Sequence, residues 1–102
     1  MSSKQKQKNK NTLRTSNSVA FSLNAWEDYQ YWKAADPATS KKIDILISDC
    51  LRSAFQGVGK PEPLKGDFSG LWSRRINKEH RLVYMFEAGK LSIFQCRYHY
   101  DV

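Results

Sequence analysis

The sequence predicts an α+β domain: an N-terminal strand, two helices, then an antiparallel three-stranded meander, with the helices packed on one face of the sheet. Three observations carry that expectation. Val19, Phe21 and Leu23 alternate with small or polar residues, apolar side chains then recur at helical spacing from Ile43 to Ala54, and short strand-like runs return after residue 70. A chain of 102 residues has room for a single modest core, and its 40% hydrophobic content suits a globular body rather than a disordered one.

Taken in order, residues 1–18 are polar and nearly free of apolar side chains, so burial cannot offset the entropy of ordering them. They read as a flexible basic extension ahead of a folded unit at 19–102. The alternation at Val19, Phe21 and Leu23 is that of a half-buried strand. Asn24 followed by Glu27 resembles a capping box opening a helix through Trp26, Tyr29 and Trp32. Asp36 before Pro37 reads as an N-cap with proline in the first turn of a second helix, whose Ile43, Leu46, Ile47, Cys50, Leu51 and Ala54 form one apolar stripe. From Phe55 to Gly70 the periodicity stops. That segment holds four of the five glycines and two of the three prolines, a long loop of the kind that is commonly functional. Strand-like segments near 71–77, 81–87 and 90–98 complete the chain, the last two joined by a turn at Ala88-Gly89. The sheet face away from the helices is then left for function.

The net charge of +7 divides unevenly. Lys4, Lys6, Lys8, Lys10 and Arg14 contribute +5 before the first acid, Glu27, and the body carries only +2. Overall charge is thus a weak pointer to an anionic partner, and clustering matters more. No apolar run approaches the roughly 20 residues that span a bilayer, and the N-terminal segment has no hydrophobic leader. Cys50 and Cys96 show neither CxxC spacing nor histidines at ligand spacing, so no metal or cofactor is expected, and reduced thiols in a cytoplasmic protein are.

Metal-free RNA cleavage needs a base for the ribose 2′-OH, an acid for the departing 5′-oxygen and a cation for the phosphate. Of two histidines, His99 stands among Arg97, Tyr98 and Tyr100, mixing phosphate-binding cations with rings that stack on bases. His80, in a turn-like Asn77-Lys78-Glu79-His80, reads as structural. Strand alternation sends Arg74 and Arg75 to opposite faces, and Arg81 opens the next strand. Glu62 lies between Pro61 and Pro63 with Lys60 and Lys65 nearby; rigid presentation suits a general base, an exposed loop glutamate ordinarily has no special role, and spacing does not decide.

In order along the chain stand Lys60-Pro61-Glu62-Pro63-Leu64-Lys65, Ser69-Gly70-Leu71-Trp72-Ser73-Arg74-Arg75-Ile76, Glu79-His80-Arg81-Leu82-Val83-Tyr84 and Cys96-Arg97-Tyr98-His99-Tyr100. Together with Trp26-Glu27-Asp28-Tyr29 and Tyr31-Trp32 they closely resemble the YoeB (Txe) toxins of the RelE superfamily, over residues 19–100. The resemblance implies a toxin of a type II toxin–antitoxin pair that cleaves messenger RNA in the ribosomal A site and leaves a 2′,3′-cyclic phosphate. It implies Glu62 as general base, His99 as general acid, Arg81 at the transition-state phosphate, Tyr100 and Arg75 placing the RNA, and Lys65 on the RNA backbone; Arg97 joins them from its own cluster. Implied partners are the 70S ribosome with its messenger, a YefM-like antitoxin and, as occurs in this family, a second copy of the toxin. Two departures stand out: the basic extension, and Asp101-Val102 after the family's terminal tyrosine. The other readings are a ParE-like, non-catalytic inhibitor of DNA gyrase, which would not require the set of Glu62, Arg81 and His99, and a catalytically inactive relic, folded but silenced by its modified termini.

Overall fold

In the computed structural model, which describes residues 17–99, β1 (Ser18–Phe21) leads into α1 (Leu23–Ala35) and α2 (Pro37–Arg52), followed by β2 (Glu62–Pro63), a 3-10 helix (Gly66–Phe68), β3 (Trp72–Arg75), β4 (Arg81–Glu87) and β5 (Lys90–Gln95). The described strands form one mixed sheet in the order β1-β5-β4-β3-β2. The expected three-stranded meander is therefore only its centre. β1 adds a parallel edge to β5, with Val19 beside Leu91 and Phe21 beside Ile93. β2 adds an antiparallel edge inside what the sequence presented as loop, Glu62 pairing with Ser73 and Pro63 with Trp72. A two-residue strand framed by prolines has no periodicity to display, and proline is tolerated only because the strand is an edge.

The start of α1 also differs from expectation. Ser22, not Asn24, is the N-cap: its Oγ accepts from the Ala25 N–H (3.0 Å) and donates to the Phe94 carbonyl, while the Ser22 N–H is bound by the Ile93 carbonyl. Pairing with β5 thus ends β1 at Phe21, and Leu23 enters the helix instead of continuing the strand. At α2 the reading holds, because Asp36 accepts from the Thr39 N–H and Oγ1 and Pro37 occupies the first turn. Ala88 and Gly89, at φ 51° and 77°, give the β4–β5 hairpin two adjacent positive-φ residues, as a type I′ turn requires.

Both helices pack on the same face. Ala25 and Trp32 of α1 and Ile43, Leu46 and Cys50 of α2 are buried with Leu82, Tyr84, Leu91 and Ile93. Register puts Trp72 and Arg74 on that face too, since they oppose Tyr84 and Leu82. Arg74 is fully buried, yet all five of its N–H groups are used. Nη1 donates to Asp49 and to the Val58 carbonyl, Nη2 to the carbonyls of Ser53 and Gln56, and Nε to Tyr84 Oη. Tyr84 in turn donates to the Ala54 carbonyl (2.6 Å). The Arg74 guanidinium, with help from the Val58 N–H and Arg52, holds the Asp49 carboxyl down at about 2, and burial pushes Tyr84 up to about 12. Burial also raises the Cys50 thiol, which sits in the core as the helical stripe predicts.

Arg74→Met should strip Asp49 of its buried cationic partner, leave the loop carbonyls without donors and destabilise the fold by about 3–5 kcal/mol in chemical denaturation. Asp49 titrates at 3.8 when free and at about 2 when folded, so its contribution is complete above pH 4 and is lost as pH falls toward 2. The melting temperature should fall across that window, and Asp49→Asn should flatten the fall while lowering the melting temperature at neutral pH.

Candidate active site on the open face

Strand pairing decides which functional side chains can meet. Glu62 opposes Ser73, and Arg75 two residues further along β3 opposes Arg81. Because strand residues alternate, Glu62, Arg75 and Arg81 share the face away from the helices, the opposite of Arg74. Two strand spacings and two residues put the Glu62 and Arg81 backbones roughly 12 Å apart, a gap that long side chains and a bound phosphate can bridge. Glu62 and Arg75 are exposed and Arg81 is half-buried. Lys65 is exposed directly before the 3-10 helix.

The turn between β3 and β4 fixes Arg81. Asn77 Oδ1 accepts from the Glu79 and His80 N–H groups, closing a side-chain-capped turn. Arg81 Nη1 donates to the carbonyls of Asn77 (2.8 Å), His80 (3.1 Å) and Lys78 (3.3 Å), so its guanidinium is held against the turn.

His99 is brought to the same end of the sheet by the segment before it. The Arg81 N–H donates to the Tyr98 carbonyl (3.0 Å), and the Tyr98 N–H donates to His80 Nδ1 (2.6 Å). From α1, Trp32 Nε1 donates to the Cys96 carbonyl (2.8 Å), and Asp28 accepts from the Cys96 N–H (3.1 Å). The His80 ring also meets Trp32 edge-on with centroids 4.8 Å apart. His80 is thus a clamp on the C-terminal segment, in keeping with its structural reading. Tyr98 sits at φ 67°, a conformation L side chains seldom adopt, and the exposed His99 follows it. Burial pushes the neighbouring Cys96 thiol up to about 12, leaving it unreactive at neutral pH.

Arg97 is placed elsewhere. Its guanidinium lies 3.4 Å from the centroid of the Tyr31 ring on α1 and 4.7 Å from that of Tyr98, in an exposed aromatic–cation stack. Tyr100, with Asp101 and Val102, lies outside the described residues. The holders Trp32, Asp28 and His80 were not identifiable as such, since their partners are 18 to 68 residues away along the chain.

A small mixed sheet backed by two helices, with a carboxylate, arginines and a histidine-bearing segment at its open face, has the architecture of a RelE-like toxin. The chain belongs to the YoeB-like toxins of bacterial type II toxin–antitoxin systems, whose family pattern matches residues 21–100. It is 54% identical over 82 residues to the toxin YoeB of Streptomyces coelicolor, covering 80% of this chain and 98% of that one. The YoeB dimer of Staphylococcus aureus superimposes with a TM-score of 0.78 at 45% identity, covering 82% and 98% of the two chains. The heterotetrameric YoeB–YefM toxin–antitoxin complex of the same organism gives 0.77 at 45% identity and the same coverage.

Trp32→Phe keeps an aromatic ring in the core but removes the bond to the Cys96 carbonyl. It should lower stability by about 1–2 kcal/mol and speed amide hydrogen exchange from Cys96 to His99. Unchanged exchange there would show that α1 does not hold this segment.

Proposed function

We propose that this protein is a ribosome-dependent endoribonuclease, an mRNA interferase that cuts messenger RNA in the ribosomal A site. The observation that carries the reading is the strand register, which gives Glu62, Arg75 and Arg81 a common face while the Tyr98–Arg81 bond draws His99 to its end. In this mechanism Glu62 takes the proton from the ribose 2′-OH, and the 2′-oxygen attacks the adjacent phosphorus. Arg81 and Arg75 offset the charge that accumulates on the phosphate oxygens. His99 gives a proton to the 5′-oxygen as the P–O5′ bond breaks, leaving a 2′,3′-cyclic phosphate and a free 5′-OH. The bonds from Arg81 Nη1 to the turn carbonyls favour this role, because a cation already oriented need not reorganise during the reaction. Tyr100 and Lys65 position the RNA, and the exposed stack of Tyr31, Arg97 and Tyr98 offers ring faces to its bases.

Its partners are the 70S ribosome with bound messenger and a YefM-like antitoxin, with a second copy of the toxin completing a dimer; the similarity to the Staphylococcus aureus dimer and complex supports both of the latter. The setting is the cytoplasm, where ribosomes are found, and no described helix is long and apolar enough to cross a membrane. The basic extension expected at 1–18 lies outside the described residues up to position 16, whereas Asn17 and Ser18, assigned to it by the sequence, bind the Leu51 and Gly89 carbonyls, and Ser18 opens β1.

Primer extension on a reporter transcript in a translating system tests the assignment. Glu62→Gln and His99→Gln should each slow cleavage by roughly 10²–10⁴-fold, and Arg81→Leu by about 10²–10³-fold. Full cleavage by both the Glu62 and the His99 variants would remove these residues from the chemistry. Cutting of naked RNA as fast as ribosome-bound messenger would refute the ribosome requirement.

A further inference from the structure

Beside the proposed site, an open cavity of about 470 Å³ is lined by Lys42, Gly59, Lys60, Arg75, Ile76, Asn77, Lys78 and Arg81. We propose that it is a second phosphate-binding subsite, built by Lys42, Lys60 and Lys78 around Arg75 and Arg81, that holds a phosphodiester of the RNA strand next to the one being cut. The proposal rests on the nuclease reading above and adds three lysines to it.

Among the described residues, five cations line this concavity and no carboxylate does. Among the described residues none of the five forms a salt bridge, whereas Arg52 and Arg74 both pair with Asp49. Arg75 and Arg81 are direct cross-strand partners, an arrangement in which like charges destabilise a sheet. The cations come from separate parts of the chain: α2, the loop after it, the end of β3, the following turn and the start of β4. An ordinary solvated face would spread such charges apart. Here the fold holds them together, and an anion in the cavity relieves the repulsion.

The loop that delivers Lys60 is held tightly. The Arg75 N–H donates to the Gly59 carbonyl (2.7 Å), and a Cβ on Gly59, which has φ 86°, would stand 3.0 Å from Arg75 O and from Leu46. Glycine therefore lets the loop lie flush on β3. Lys60 follows at φ 53°, a strained angle for a non-glycine residue. From the helical layer, Lys42 is half-buried on α2 and reaches the same cavity. A phosphate group suits this rim, because lysine ammonium groups act as point charges that can close on it from several sides while two arginines offer planar donors.

The cavity is tested first on the full chain without ribosomes. Inorganic pyrophosphate is titrated at low salt while the backbone amide resonances of Gly59, Lys60, Asn77 and Lys78 are followed. Saturable shifts at these positions are expected, weakened about tenfold in the double variant Lys42→Gln/Lys60→Gln and kept within about twofold by Lys60→Arg, which retains the charge. A glutamate decapeptide is titrated in parallel. Saturation by the peptide with pyrophosphate silent would assign the cavity to an acidic protein segment and overturn the proposal, as would silence towards both. In the ribosomal cleavage assay the double variant should raise KM about tenfold and make the dependence of log(kcat/KM) on log[salt] shallower by about 0.7, the value for one lost contact to a single strand. An unchanged KM and slope would overturn the subsite while leaving the nuclease intact. Saturation by pyrophosphate in a wild-type protein that cuts no messenger would keep the subsite and sink the nuclease reading instead.

Discussion

A buried arginine organises this structure. Arg74 lies on the helix-facing side of the sheet with no solvent to hydrate it, so it is tolerable only because every donor finds an acceptor. Four of those five bonds reach Asp49 on α2 and the carbonyls of Ser53, Gln56 and Val58. The guanidinium thereby fastens the segment after α2 to the sheet. Without it, the glycine-rich stretch would rest, among the contacts of the described residues, on the Phe55–Trp72 ring contact and on the bonds of the Val58 N–H to Asp49, of Tyr84 to the Ala54 carbonyl and of the Arg75 N–H to that of Gly59. Gly59, Lys60 and the short β2 carrying Glu62 all lie downstream of that anchor.

A second anchoring works from the other end of the chain. Trp32 and Asp28 of α1 grip the backbone of Cys96, and His80 grips that of Tyr98. The segment leaving β5 is thus set beside the start of β4, where Arg81 accepts it through its own N–H. The two anchors act on opposite sides of the central hairpin. One sets the edge strand with the carboxylate; the other sets the turn before the histidine. Neither Arg74 nor His80 faces the open surface, yet each governs what stands there.

The end of the sheet where the open face meets the helical layer is electrostatically frustrated. Arg75 opposes Arg81, and three lysines join them with no acid among the described residues of the cavity's lining. Such an arrangement lowers the stability of the free protein and is consistent with a surface made for a polyanion. Rigidity accompanies the frustration: the Asn77 turn, the Gly59–Arg75 contact and the positive φ of Lys60 and Tyr98 hold backbone positions that a relaxed loop would abandon. Fixed cations suit phosphate chemistry, where orientation before the reaction matters more than the number of charges.

Much of this was legible in the sequence. The stripe from Ile43 to Cys50, the Asp36-Pro37 cap and the Ala88-Gly89 turn are local patterns, and each appears where expected because neighbouring residues suffice to determine it. Alternation likewise separated Arg74 from Arg75 correctly, and the motifs from Lys60 to Tyr100 sufficed to reveal the family. Other features depended on contacts between distant parts of the chain. β2 is two residues long and exists only because β3 pairs with it. Ser22 became the cap of α1 because β5 ended β1 there. Arg97 was read from its own cluster, and the ring that seats its guanidinium, Tyr31, stands 66 positions earlier, beyond any local pattern. Local sequence determines which elements form, because propensity and periodicity act over a few residues. Which charges converge was decided by tertiary structure alone, because cross-strand register and the solvation of a buried arginine have no signature within any short window of sequence.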